Sequence, residues 1–522
     1  MLIDGGPLDA PAAPLHDLLR LGLASAAGDA ALVSAEQQMS WRELEAASST
    51  LAGRYRALGL ERGDRVASLM PNRIGLVVHY LACFKASLVA TPLNYRYTFR
   101  EIDHALEVSG ASALVAHVER ADDLAASRLL AELPRGTISY GGSETEGAHR
   151  FEALVAGEAP DSDLAPPDPS SPAAIFFTSG STGPAKGVTH THETLRWMIA
   201  SATAAFELSA SDVFLPGSSM SHIGSFLWTL CTLSVGGRVI VARTYDSHEL
   251  LPLLRAHDPT VLAMIPAALA ALVRDHDLKP ADFASLRICR AGSDKVSTEL
   301  LTEFAAAAGF PIDEGYGMTE VGLATLNPPS GVIKQGSIGP PIDGFSISIR
   351  DEKGGPLAAG DVGRVWIRSR SRMAGYWEAP DATAAVVSDE WLDSGDLARA
   401  DEDGYLWFFG RKKQVIVHDG SNISPLEVEG ALMEHPAVAL AGVVGVHDVV
   451  HGENVRAYVT LRPGGTPPSS ADLIVFCRDR VGYKAPEEVV VLDDMPLNPT
   501  GKVDRAGLKR LAEEHLHPHG LD

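Results

Sequence analysis

The chain predicts an α/β fold: a large N-terminal domain of helix-covered sheets with a small β subdomain, then a small α+β C-terminal domain. Three observations predict it. At 522 residues the chain exceeds one ordinary core. Up to about residue 410, strand-length apolar runs alternate with stretches of helical period, the pattern of parallel sheets covered by helices. Beyond the segment Gly410-Arg411-Lys412-Lys413-Gln414 about a hundred residues remain, enough for a small domain of their own.

The elements follow in order. Residues 46–58 have helical character, 65–70 read as a strand, and 75–86 are helical again. The stretch 74–93 is the most membrane-like, but His79 and Lys85 interrupt it, so a core helix running into a strand is expected. Residues 158–172, rich in Pro, Asp and Ser, form an exposed loop feeding the apolar run 173–177, a buried strand. The alanine-rich stretch 267–273 is a core helix. From 336 to 370 the pattern changes to short strands and Gly-rich turns, with alternation at 345–349 and 363–367. In the tail, Ser424-Pro425-Leu426-Glu427 predicts a capping box that opens a helix ending near His435-Pro436. Strand-like runs at 441–446, 455–461 and 489–492 complete an α+β unit.

Composition narrows the function. Hydrophobic residues make up 45% and charged residues 21%, values of a globular protein. A net charge of −23 argues against nonspecific binding to nucleic acid or anionic membranes, so positive charge for an anionic ligand has to be local. The four cysteines, Cys83, Cys231, Cys289 and Cys477, form no CxxC pair and read as buried thiols of a reducing cytoplasm. No basic segment followed by an apolar stretch opens the chain, so no signal peptide and no membrane insertion are expected.

The most informative segment is Thr178-Ser179-Gly180-Ser181-Thr182-Gly183-Pro184-Ala185-Lys186-Gly187. Four hydroxyls, glycines that let successive N–H groups converge on an anion, and one lysine suit a polyphosphate. A flexible polar linker is the alternative. It is not a Walker loop, because Lys186 follows Ala185 and precedes Gly187. Gly315-Tyr316-Gly317-Met318-Thr319-Glu320 adds an aromatic face, a hydroxyl and a carboxylate. Ser394-Gly395-Asp396 offers a carboxylate at a tight turn, Arg411 a cation at the domain junction, and Pro499-Thr500-Gly501-Lys502 a lone lysine on a Gly-containing turn. The pairs His190/His192 and His447/His451, the second at helical spacing, lack a nearby third metal ligand.

Together with Pro92-Leu93-Asn94-Tyr95-Arg96, Gly420-Ser421-Asn422-Ile423 and Glu427-Val428-Glu429, these clusters resemble, in order from about Trp41 to Arg505, the adenylate-forming superfamily. Within it, acyl-CoA synthetases are the nearest kin. The resemblance implies ATP, Mg²⁺ and CoA, and a small carboxylic acid as substrate. Thr178, Ser179, Gly180, Ser181, Thr182, Gly183 and Lys186 would hold the β and γ phosphates. Tyr316, with Gly317 and Met318, would stack on adenine; Thr319 and Glu320 would face the phosphates, Glu320 holding Mg²⁺. Asp396 and Arg411 would grip the ribose, and Lys502 would reach the attacking carboxylate and the α-phosphate. The implied division is a domain over 1–410, a hinge at 411–413 centred on Lys413, and a mobile domain over 414–522. Rotation would replace Lys502 by Gly420 and Ser421, which would line the CoA channel.

His222 matches the position between acyl pocket and CoA channel, to gate the channel or touch the carboxylate; a satisfied core histidine is the alternative. Ile223, Gly224, Met264 and Gly315 would line the acyl pocket beside it. This apolar, small-residue lining suits a medium-chain, aromatic or bulky cyclic acid, and 215–224 lacks an aspartate for an α-amine. Ala185, Ser394, Gln414 and Ser293-Asp294-Lys295 depart from the usual pattern without removing a phosphate ligand. The resemblance leaves open a carrier-protein thiol in place of CoA, a luciferase-like oxidoreductase, a non-catalytic nucleotide sensor, and a homodimer.

Overall fold

The computed structural model describes residues 1–142, 149–158, 160, 164–178, 185–276, 278–292, 296, 298–418, 421–448, 452–464, 467–499 and 501–516. Among them the strands form five sheets. In the largest, Val89–Pro92, Arg65–Leu69, Ala113–His117 and Thr137–Tyr140 run parallel, and Pro172–Thr178 joins Val89–Pro92 in parallel. Lys186–Thr191 then turns back antiparallel on Pro172–Thr178 and carries Gly375–Tyr376 at the edge. In the second sheet Ile288–Ala291, Val261–Met264, Val213–Gly217, Arg238–Ile240 and Ala30–Val33 are parallel, with Gln38–Ser40 antiparallel beside them.

The helices between these strands form where expected, with earlier starts. Trp41–Ala57 begins five residues before the expected 46, because Ser40 and Glu43 form a capping box that satisfies two terminal N–H groups. Ile74–Ala86 is buried throughout and leads into Val89–Pro92, the core helix and strand expected for 74–93. Its polar residues are matched inside: the Tyr55 hydroxyl bonds His79 Nδ1 at 2.8 Å, and Lys85 pairs with Glu45. Neighbouring Phe84 is fully shielded, and burying a side chain of that size contributes about 1.5–3 kcal/mol. All four cysteines are buried and free.

The small β subdomain is an antiparallel sheet of Phe345–Arg350, Gly363–Ser369 and Trp391–Ala400, joined by Val387–Ser388 and Leu406–Arg411. The strand Leu2–Asp4, absent from the sequence reading, pairs with Phe345–Arg350 at its edge. After Arg411 the chain leaves this sheet through the short 3-10 segment Lys412–Gln414 and enters the last one. There Ser421–Ile423, Ile416–His418, Gly452–Leu461 and Val438–Asp448 are antiparallel, and Glu488–Val491 lies parallel to Gly452–Leu461. The sheet builds its own core of Ile416, Val428, Val443, Val455 and Leu473 with the helices Pro425–Met433 and Ser470–Val481.

Two local expectations fail in this domain. Pro425 does open a helix, but the capping box does not form: the Ser424 hydroxyl bonds the Phe409 carbonyl across the junction, and Glu427 grips Lys484 at 2.7 and 2.9 Å. Each side chain found a stronger or more sheltered partner than a helix-end amide. His447 lies in the strand Val438–Asp448, so helical spacing with His451, which is outside the described residues, does not apply.

Candidate functional site

The segment 178–187 joins two strands rather than a strand and a helix. Thr178 and Lys186 face each other across the hairpin of Pro172–Thr178 and Lys186–Thr191, so the lysine lies opposite the first residue of the segment. Ser179, Gly180, Ser181, Thr182 and Gly183 lie outside the described residues. Lys186 places its ammonium 4.8 Å from the ring centroid of Tyr376, a cation–π contact. The Tyr376 hydroxyl in turn donates to Glu320 Oε1 at 2.9 Å, so one aromatic residue links the loop lysine to the predicted metal ligand.

Gly315–Met318 and Gly322–Leu326 form a tight antiparallel hairpin that carries Thr319 and Glu320 at its turn. A Cβ on Gly317 would strike the Gly322 carbonyl oxygen, so the hairpin itself requires that glycine. Buried His190 donates from Nε2 to the Thr319 carbonyl at 2.8 Å; burial pulls its imidazole down to about 4, so it stays neutral. Glu320 is buried, and desolvation raises its carboxyl above the usual range despite the Tyr376 hydroxyl.

Tyr316 stacks on Phe408 with centroids 5.8 Å apart, and its hydroxyl donates to Asp396 Oδ2 at 2.6 Å. Asp396 is not at a turn, as the sequence suggested, but within the strand Trp391–Ala400. Pairing slips there between Arg364 and Trp366, and Gly395 takes φ 72°, a bulge that glycine tolerates. Ser394 pins the bulge by donating to the Val365 carbonyl at 2.7 Å and accepting the Asp396 amide at 3.1 Å. Arg411 Nε stands 3.3 Å from Asp396 Oδ1. Burial still dominates and raises the Asp396 carboxyl, with Arg411, Tyr316 and Lys502 opposing the shift.

Lys502 reaches this cluster from the C-terminal domain. Its charge is felt by Asp396 and by His222, whose imidazole burial and the Lys502 cation push down to about 4. His222 sits at the start of the helix Ile223–Ser234. Ile223 and Met264 are buried in two different apolar clusters, while a Cβ on Gly224 would meet open space. A Cβ on Gly315 would crowd Arg290 Nη1 and the Thr325 carbonyl, both at 2.5 Å, so this glycine answers first to buried Arg290. Lys413 lies in Lys412–Gln414, between the two sheets, and Ser421 opens the strand Ser421–Ile423. Gly420 is outside the described residues, as are Ser293, Asp294 and Lys295.

Sequence reasoning missed Tyr376 and Phe408, and it weighed His190 only as half of a metal pair. The three lie far apart in the chain from the residues they touch, Glu320, the Thr319 carbonyl and Tyr316, and no spacing along the chain announces those contacts. Among the described residues no three His, Cys, Asp or Glu side chains gather as a metal cluster, and no helix is long and apolar enough to cross a membrane.

Comparison with known proteins identifies the family. The model of the AMP-binding enzyme family matches residues 23–377, and that of the AMP-binding enzyme C-terminal domain matches 427–502. Feruloyl-CoA synthase of Amycolatopsis sp is 32% identical over 90% of this chain and 94% of its own length. The fatty acid–[acyl-carrier-protein] ligase ScoC of Streptomyces coeruleorubidus is 32% identical over 90% and 91%. ATP-bound MatB from Rhodopseudomonas palustris superimposes with a TM-score of 0.88 at 28% identity, covering 97% of this chain and 99% of MatB. The apo form of MatB gives 0.78 over the same shares and at the same identity. The chain belongs to the AMP-binding enzyme family of adenylate-forming acid–thiol ligases.

Proposed function

We propose that the enzyme activates a carboxylic acid lacking an α-amine as its acyl-adenylate and then passes the acyl group to the thiol of CoA. In the first step a carboxylate oxygen attacks the α-phosphorus of ATP and pyrophosphate leaves. In the second the thiolate attacks the acyl carbon and AMP leaves. The observation that carries this reading is the docking of the Lys502 turn on the large domain, where Asn94 bonds the Pro499 carbonyl at 3.2 Å and the Lys502 charge acts on Asp396 and His222. The higher TM-score against ATP-bound than against apo MatB supports an arrangement like that of the ATP-bound enzyme.

The residues take roles by their chemistry. The 178–187 segment with Lys186 cradles the β and γ phosphates. Tyr316, backed by Phe408, offers its ring to adenine, and Asp396 with Arg411 offers acceptor and donor to the ribose hydroxyls. Glu320 fits Mg²⁺, since a buried carboxylate with a raised pKa gains most from a hard cation that takes oxygen ligands. Bound there, Mg²⁺ would offset charge on the leaving phosphates. Lys502 places positive charge where it develops on the α-phosphate oxygens, so positioning and electrostatics supply the catalysis. His222 is neutral at pH 7 and accepts or donates one hydrogen bond at the acyl carboxylate without competing as a cation. The division at 1–410, 411–413 and 414–522, with Lys413 as the hinge, is part of this reading, and the change of sheet around Lys412–Gln414 supports it. Rotation there would withdraw Lys502 and bring Gly420 and Ser421 to the thiol channel.

His222, Ile223, Gly224, Met264 and Gly315 form the acyl wall in this reading, and the open space over Gly224 suits a medium-chain, aromatic or bulky cyclic acid. A second reading, transfer to the phosphopantetheine arm of a carrier protein, is favoured by the similarity to ScoC. A panel of such acids assayed for pyrophosphate release with and without CoA separates the two. We expect acid-dependent release with acyl-CoA and AMP formed stoichiometrically when CoA is present. Release with no acyl-CoA product would favour the carrier protein, and no release with any acid would remove the adenylation reading.

A further inference from the structure

We propose that Asn94 is a positioning residue for the first half-reaction: its side-chain amide holds the Lys502 turn against the body of the enzyme. This rests on the role given to Lys502 above.

Asn94 follows the strand Val89–Pro92 of the largest sheet, and its Nδ2 donates to the Pro499 carbonyl at 3.2 Å, across 405 residues of chain. Its Oδ1 accepts the Arg96 amide at 2.9 Å, which fixes the orientation of the side-chain amide and aims Nδ2 at Pro499. On the other side of the contact the turn is closed on itself. Asn498 Oδ1 accepts the Lys502 amide at 3.1 Å, and the Asn498 amide donates to the Lys502 carbonyl at 2.8 Å. The Gly501 amide donates to the Asn498 carbonyl at 2.9 Å, and Leu497 faces Val503 at the base. A turn braced in this way moves as a unit, so fixing the Pro499 carbonyl fixes where the Lys502 side chain starts.

Away from the junction, where Ser424 bonds the Phe409 carbonyl, the other ties described between the two domains are less specific. Arg462 lies 3.4 Å from Glu299, a partly exposed pair in which Arg274 shares the carboxylate at 3.9 Å. Such pairs contribute little and are screened by salt. Gly501 only lies near Ile265, where an added Cβ would come to 3.6 Å from its Cδ1. An amide–carbonyl hydrogen bond has direction and modest net strength, which suits a contact made and broken in every turnover.

The test uses the full-length enzyme, the acid giving the fastest pyrophosphate release in the panel, and the chemically synthesised adenylate of that acid. Asn94→Ala and Asn94→Asp should each lower kcat for acid-dependent pyrophosphate exchange by about three- to tenfold. KM for ATP and for the acid should stay within about twofold of wild type, since neither ligand loses a contact. Asn94→Asp keeps the acceptor for the Arg96 amide, loses the donor and sets a negative charge against the Pro499 carbonyl, so together with Asn94→Ala it separates the latch from the local turn. Thioester formation from the preformed adenylate and CoA should run at the wild-type rate in both variants, which also shows that they fold. Equal loss in both half-reactions, or unchanged exchange in either variant, overturns the proposal. A wild-type enzyme that exchanges with no acid would instead overturn the adenylation reading.

Discussion

Lys502→Ala should lower acid-dependent pyrophosphate exchange by about a hundred- to a thousandfold while ATP still binds. The size follows from what is removed: a cation aimed at oxygens that gain charge only in the transition state, in a site sheltered from water. In the proposed reading ATP affinity rests largely on the 178–187 segment, Tyr316, Asp396 and Arg411, which the substitution leaves in place. A second readout locates the lysine independently. Burial first and the Lys502 cation second depress His222 to about 4, so deleting the cation should move the His222 titration upward. NMR titration of His222 in both proteins measures this. Full exchange activity in the variant would mean that another group stabilises the α-phosphate.

Asp396→Asn should damage nucleotide binding and stabilise the empty protein at once. Two charge-assisted contacts to the ribose become neutral, which predicts roughly a ten- to hundredfold rise in KM for ATP. Stability moves the other way. The folded Asp396 carboxyl titrates above its unfolded value because burial outweighs Arg411 and Tyr316. Between those two pKa values the folded state binds more protons, so stability falls as pH rises through that window. The penalty is absent below the unfolded pKa and complete above the folded one. The variant should therefore melt above wild type at pH 8, with the gap shrinking as the pH falls toward 4. A variant that melts lower at pH 8 would show that Arg411 and Tyr316 outweigh the desolvation.

How much of this the sequence disclosed depends on the reach of each constraint. The 178–187 segment, 315–320, Asp396, Arg411 and Lys502 were legible as candidates because each sets chemically distinctive side chains in a short run. The alternation of strands and helices was legible because burial imposes a period on each element. Contacts between distant segments were not. Tyr376 is 190 residues from Lys186 and 56 from Glu320 in the chain, yet it touches both. His190 supports a carbonyl 129 residues away. Ser424 had the local pattern of a cap and was drawn off by Phe409 across the junction. Asp396 looked like a turn because Gly395 needs positive φ, a need that a bulge inside a strand meets equally well. Asn94 lay within a quoted motif, but its partner on the Lys502 turn emerged only when the two domains met.

Isotope transfer tests the central claim most directly. When the acid carries ¹⁸O in its carboxylate, one oxygen bonds to the α-phosphorus in the adenylate, and thiol attack at the acyl carbon leaves that oxygen on phosphorus. The enzyme should release AMP carrying one ¹⁸O, with unlabelled pyrophosphate and acyl-CoA retaining the other label. AMP without label, formed as acyl-CoA accumulates, would contradict a carboxylate attack at the α-phosphate and with it the role assigned to Lys502.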